Sequence, residues 1–290
     1  MDFVNRATTA LFDLLMPIFG LAGPTVALIL ISGLVGVLGL ICFKFISWQG
    51  GIKSTKAKIW GGIIEIRLYQ DDLVIVARAI GKVLGRNVQY LFLNFGPIVP
   101  LLVPFGLVFA QLVVRQGFDP IPLAQRPVAE LLAGEGTLVE VTLGPEARGR
   151  LDDAEIELPP TLEAISPVVR IPSEGRLLVE VAAVAPGVQE LVVKVGGERV
   201  TKVVATGDVA PPAKLQPERT RGMAALLWPG ELSTDGTGVE RILVPHPDRP
   251  VPGFAWSPVP LEGVGGLMIL FFVFSIVIGG LVLKPLGVQI

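Results

Sequence analysis

Residues 24–46 read PTVALILISGLVGVLGLICFKFI, an apolar run whose single charge, Lys44, lies near its end. A helix rises about 1.5 Å per residue, so about 20 such residues cross a hydrocarbon core about 30 Å thick. Two further stretches pass the same test: residues 97–114, PIVPLLVPFGLVFAQLVV, and residues 263–283, GVGGLMILFFVFSIVIGGLVL. No charged residue occurs between Asp13 and Lys44, between Arg86 and Arg115, or between Glu262 and Lys284. The sequence therefore predicts three transmembrane helices, at 24–46, 96–115 and within 263–290, the last followed by a short C-terminus.

Composition agrees with a membrane protein. Hydrophobic residues make up 51% of the 290 and charged residues 17%, against about 25% charged in ordinary soluble domains. A net charge of −2 leaves no overall basic footprint, so DNA is not an expected partner. Cys42 and His246 are the only residues of their types, which excludes an intramolecular disulfide, a cysteine knuckle and a histidine-cluster metal site. The chain has no phosphate loop ending in Lys-Ser or Lys-Thr, no nucleophile elbow and no His-Glu-x-x-His helix. Neither enzyme activity, a cofactor nor a metal is expected.

Orientation follows from the connections. Residues 44–89 carry eight Lys and Arg against three acidic residues, a balance of +5, whereas 115–262 carries fourteen against twenty-one, a balance of −7. The positive-inside rule is decided by the short loop. It places 47–95 in the cytoplasm, the N-terminus and the long segment outside, and the C-terminus beyond Lys284 in the cytoplasm, with the cell inner membrane as the expected location. Asp2 and Asp13 around a single Arg6, before a long apolar run, do not resemble a signal peptide. Phe3, Val4, Ala7, Leu11, Leu14 and Leu15 have helical spacing, so residues 1–23 are expected as an interfacial helix, or as a continuation of the first span.

Residues 47–95 have a helical period. Ile59, Ile63, Ile66 and Leu68 make one apolar face, and Leu73, Val76, Ile80, Val83 and Leu84 another, which predicts a cytoplasmic amphipathic hairpin. Asp71-Asp72 sit where a carboxylate caps the second helix, and Arg67 could instead pair with Asp71. Lys53, Lys56, Lys58, Arg67, Arg78, Lys82 and Arg86 are candidate contacts for anionic lipid headgroups, a client polypeptide or ribosomal RNA. Within the second span, Pro104 should bend the helix, while Asn94 and Gln111 could line a polar groove or, for Gln111, bond a neighbouring helix. Gly33, Gly36 and Gly39, with Ser275, Gly279 and Gly280, suggest close helix contact.

From residue 116 to 207 the period becomes two. Residues 137–143, 177–182, 191–195 and 199–204 read as strands, the last two joined by a tight Gly196-Gly197 turn, with weaker strands near 155–158 and 168–171. An extracytoplasmic all-β, sandwich-like domain of the immunoglobulin type follows from the strand count. Asp152-Asp153 reads as a solvated loop. Residues 208–262 hold much of the proline and are expected as an extended tether, to which 222–227 could add a helical turn and 239–244 a strand docked on the sandwich. His246, between two prolines, is expected to be exposed and structural, and Trp228 and Trp256 to be interface anchors.

This organisation resembles the YidC-like, Oxa-type membrane insertase superfamily, in particular its three-span members. The resemblance covers residues 24–115 and 263–286 and includes Pro97-Ile98-Val99-Pro100-Leu101-Leu102-Val103-Pro104-Phe105, which is similar to the proline- and leucine-rich second span of that family. It implies a factor that eases the hydrophilic flanks of nascent membrane proteins, or subunits of a membrane complex, across a locally thinned bilayer. Lys44, Asn94, Gln111 and Arg115 would be the polar groups of its groove, and the hairpin would receive the client. The chain departs from the family in having no positive residue inside the first span and in carrying a β-domain between the second and third. The alternative is a structural or assembly subunit whose β-domain binds a partner while the helices anchor it.

Overall fold

A computed structural model describes residues 1–288. Its helices are α1 (Asp2–Phe19), α2 (Pro24–Ile46), α3 (Gln49–Leu68), α4 (Leu73–Phe95), α5 (Ile98–Gln116) and α6 (Gly263–Leu286). Three helical stretches are long and apolar enough to cross a membrane: α2, the α4–α5 stretch and α6. The chain divides into two compact units, one of Met1–Leu28 with Leu107–Leu270 and one of Ile29–Gly106 with Phe271–Ile290.

In the helical unit, α3 and α4 pack as a hairpin whose turn is fixed by chemistry local to it. The Asp72 carboxylate accepts from the amides of Val74 and Ile75, both at 3.0 Å, and so satisfies two donors that a helix start leaves open. Among the described residues no ion pair joins Arg67 to Asp71. Gly62 of α3 stands where a Cβ would fall 2.5 Å from Val83 of α4, which is why this glycine is tolerated mid-helix despite costing about 1 kcal/mol in propensity. The two apolar faces are only partly covered: Ile63, Leu68, Leu73, Ile80 and Leu84 remain exposed. Between α4 and α5 only Gly96 and Pro97 leave the helix, and the Gly96 amide still bonds to Phe92 O at 3.0 Å. The glycines of α2 mark close contacts, with Gly36 against Ser275 O, Gly33 against Ile278 and Gly39 against Phe105.

The other unit contains the β-domain. Its strands are β1 (Thr137–Leu143), β2 (Glu155–Glu157), β3 (Leu162–Ala164), β4 (Val169–Ile171), β5 (Arg176–Ala183), β6 (Gly187–Val195), β7 (Glu198–Thr206), β8 (Glu218–Thr220) and β9 (Val239–Leu243). The larger sheet has the order β3-β5-β1-β9-β8, with β4 also on β5, and the smaller one β2-β6-β7. Every pairing between named strands is antiparallel. Alternation carries Val139, Val141 and Leu143 of β1 into a core shared with Leu177, Val179 and Val181 of β5 and with Leu191, Val193 and Val195 of β6. Each such side chain contributes about 1.5–3 kcal/mol on full burial. Gly196 and Gly197 have φ of +56° and +87°, the backbone that a two-residue primed turn demands.

The strand expected at 239–244 is β9, which lies between β1 and β8 inside the larger sheet, and a helical turn occupies Gly222–Leu226; β8 is a strand not expected in the 208–262 segment. One expectation changes: His246 is buried, not exposed, at 7% of its free accessibility, because Pro245 and Pro247 flank it without lifting the chain off the domain.

Candidate functional site

Within the helical unit, α2, α4, α5 and α6 enclose a partly open cavity of about 570 Å³. Gly36 and Gly39 of α2, Leu101 and Phe105 of α5, and Phe272 and Ile276 of α6 line it, so its wall is overwhelmingly apolar. Small residues make the space, and aromatic rings bound it: Phe105 meets Phe271 edge to face, with centroids 6.1 Å apart. The polar side chains at its wall are few. Ser275 donates from Oγ to Ser32 O at 2.9 Å. Asn94 donates from Nδ2 to Tyr90 O at 2.7 Å, while its Oδ1 is buried without a partner. Such an orphan acceptor costs about 1–3 kcal/mol relative to a satisfied one, and a donor reaching it would recover that amount.

Of the four residues expected to form a groove, Asn94 alone lines this cavity. Lys44 turns to the end of α6, where Nζ donates to Leu286 O at 2.7 Å. Gln111 and Arg115 belong to the other unit and are engaged by α1. Gln111 donates to Thr8 and Thr9 hydroxyls at 3.0 and 2.9 Å and accepts from the Arg115 guanidinium. Arg115 in turn pairs with Asp13 and lies 5.5 Å from the centroid of the Phe12 ring. Lys214 reaches the second oxygen of Asp13 at 3.3 Å. Partial burial pushes the Asp13 carboxyl up, but its bonds to Arg115 and Lys214 outweigh that and hold it below the usual carboxylate value. Among the seven basic residues of the hairpin, Lys82 pairs with Glu65 at 3.1 Å, Arg86 is half-buried with Nη1 donating to Gln89 at 2.8 Å, and Lys53, Lys56, Lys58, Arg67 and Arg78 are exposed.

The β-domain holds a polar centre that the sequence reading passed over. Lys202 is fully buried, its Nζ donating to Gln216 O at 2.7 Å, Val203 O at 3.0 Å and Glu231 Oε1 at 2.5 Å. Desolvation pulls its pKa down against the charge of Glu231. The signal was present in the alternation of β7, where Val200, Lys202 and Val204 share the inward face. His246 donates from Nδ1 to Val244 O, 2.9 Å away, and its Nε2 has no partner. Burial first, and the Lys202 charge second, lower its pKa to about 3. Beside it a second cavity of about 720 Å³ is lined by Leu123, Arg126, Leu131, Leu138 and Pro245. There β1 is paired on one side only, since pairing with β9 ends at Glu140–Leu243 while pairing with β5 continues to Thr137.

Among the described residues no three His, Cys, Asp or Glu side chains gather as metal ligands. No protein-family model matches the chain, and no curated protein and no solved structure is detectably similar to it.

Proposed function

We propose that this is an integral membrane protein of Oxa-type insertase character, which receives an apolar segment of another membrane protein during its insertion or assembly. The observation that carries the reading is the 570 Å³ cavity bounded by the first, second and third candidate spans, apolar except for Asn94, Ser275 and Tyr90. A volume in the range of about 300–1,000 Å³ suits a ligand of modest size. It is too small for a whole transmembrane helix and large enough for a few apolar side chains of one. The exposed basic residues of α3 and α4 supply a surface for anionic headgroups or for the client's polar flank. The charge balance of the connections supports a cytoplasmic hairpin with the β-domain outside.

The test is photocrosslinking from Leu102 and Ile276, both at the cavity wall, in membranes that are synthesising protein. Adducts with short nascent membrane proteins are expected. Their absence, with intact insertion of the crosslinker-bearing chain itself, would reject the reading. The second reading, an anchored assembly subunit, draws on the cavity beside β1, whose lining includes the Arg126–Glu135 ion pair. A stable adduct from Leu138 alone would favour it.

A further inference from the structure

Helix α1 is amphipathic in the inverse sense of a helix on a water-soluble domain. Four of its polar residues face the protein: Asn5, at 3% exposure, donates to Ala225 O at 2.8 Å, Asp2 accepts from the Ser233 amide at 3.0 Å, Thr9 donates to Pro229 O at 3.3 Å, and Thr8 meets Gln111, while Arg6 is exposed. Its apolar residues face outward, with Phe3 84% and Leu14 68% exposed, and Leu11 and Ile18 exposed on the same stripe. At 100° per residue these four fall within one narrow sector. The loop that grips α1 repeats the pattern, since Met223, Leu227 and Leu232 are exposed around the buried Ala225.

Water is a poor neighbour for such a surface, and patches of this kind mark a contact. What covers it is indicated by the same compact unit. The start of α2, the end of α5 and the start of α6 all belong to the unit that contains α1. Only the short turn Gly20–Ala22 and Gly23 separate α1 from α2. Trp256, a few residues before α6, is exposed, as an aromatic residue at the headgroup level would be. The membrane boundary on this side of the three helices therefore falls within this unit.

We infer that α1 and the 223–232 loop form a lipid-seated pad, which lies in the headgroup and acyl boundary of the bilayer and holds the β-domain against the membrane surface. The occupant of the apolar stripe is phospholipid, and the inward polar face links that pad to the domain. The inference rests on reading α2, α5 and α6 as spans, not on the insertase reading.

The experiment uses full-length protein with Cys42 replaced by Ser, reconstituted in phosphatidylcholine–phosphatidylglycerol vesicles. Nitroxide labels are placed singly at Leu14, Ile18 and Met223, with Leu34 of α2 as a span reference and Asp153 as an exposed loop reference. Collision rates with oxygen and with a water-soluble nickel chelate are measured. The pad sites should favour oxygen over nickel at least 3-fold more than Asp153 does. Nickel access equal to that at Asp153, with Leu34 still oxygen-rich, would overturn the inference and leave the spans standing. Exclusion of both reagents from the pad sites would overturn it too, because the stripe would then be covered by protein. If Leu34 itself is nickel-accessible, the span reading falls first and the inference with it.

Discussion

Removing the carboxylate of Glu231 should destabilise the β-domain far more than an ordinary surface deletion. In Glu231→Ala the Lys202 ammonium keeps two carbonyl acceptors, Val203 O at 3.0 Å and Gln216 O at 2.7 Å, but loses the one anion that it meets among the described residues, at a site with no solvent access. Breaking a buried pair in this way costs about 3–5 kcal/mol, because an uncompensated charge is left behind. At 1.36 kcal/mol per decade this corresponds to roughly a 150- to 5,000-fold loss of protection. Amide hydrogen exchange across β6 and β7, in the full-length protein in detergent, reads it directly. The sign of the pH response is diagnostic. Burial lowers the Lys202 pKa below its unfolded value, so between the two values the unfolded chain binds more protons and stability rises with pH, by at most about 1.4 kcal/mol per pH unit. Without Glu231 that window widens downward. The variant should therefore gain more stability than the parent protein as the pH is raised toward the ordinary lysine value, after correction for the intrinsic exchange rate. A loss below about 3-fold, or a loss of the expected size with no pH dependence, would refute the uncompensated charge as its cause. Lys202→Met with Glu231→Leu, which removes both charges, should come close to the parent protein.

Four other outcomes follow from the same structure. With a His246 pKa of about 3 against about 6.5 unfolded, the domain should lose roughly 1.5 kcal/mol from this group as pH falls from 6.5 to 5, and His246→Gln should flatten that slope in thermal melts followed by circular dichroism. Gly36→Val would put a Cβ 2.2 Å from Ser275 O, so it should cost about 1–3 kcal/mol and lower the melting temperature of the helical unit. Asp13→Asn takes a charged partner from Arg115 and Lys214, and α1 should lose roughly 1.5–3 kcal/mol of protection against exchange. Asp72→Ala removes the cap from Val74 and Ile75, which should cost about 1 kcal/mol and speed proteolysis in the 69–73 turn.

The elements that the sequence showed well are those set by a local period. The apolar runs of α2, α5 and α6, the hairpin of α3 and α4, and the long strands β1, β5, β6 and β7 repeat at 3.6 or 2 residues, and their partners hardly alter that. The short strand β3 carries too few residues to show a period. The place of β9 is set by what lies across from it, Glu140–Leu143 on a strand about a hundred residues earlier, which no local pattern reports. The candidate groove fared unevenly for a related reason. Gln111 and Arg115 do find polar company, but it comes from Thr8, Thr9 and Asp13, and only the fold brings α1 to them. Asn94 was legible as a polar residue in an apolar stretch, whereas Lys202, on the inward face of β7 beside Val200 and Val204, was passed over because its acceptors come from distant residues, Gln216 and Glu231.

The order β3-β5-β1-β9-β8 also dictates a timetable. A ribosome makes β1 early and β9 late, so the larger sheet must wait with the place between β1 and β8 vacant while all of β2 to β8 emerges. Non-local pairings of this kind are slow to close, and an unpaired edge is prone to wrong partners in the meantime. The β6–β7 ribbon, joined by its glycine turn, can form first as a local scaffold. Completion then comes only when Leu243 is available, shortly before α6 begins at Gly263. Closure of the domain and delivery of the last span are thus nearly simultaneous events in the life of this chain.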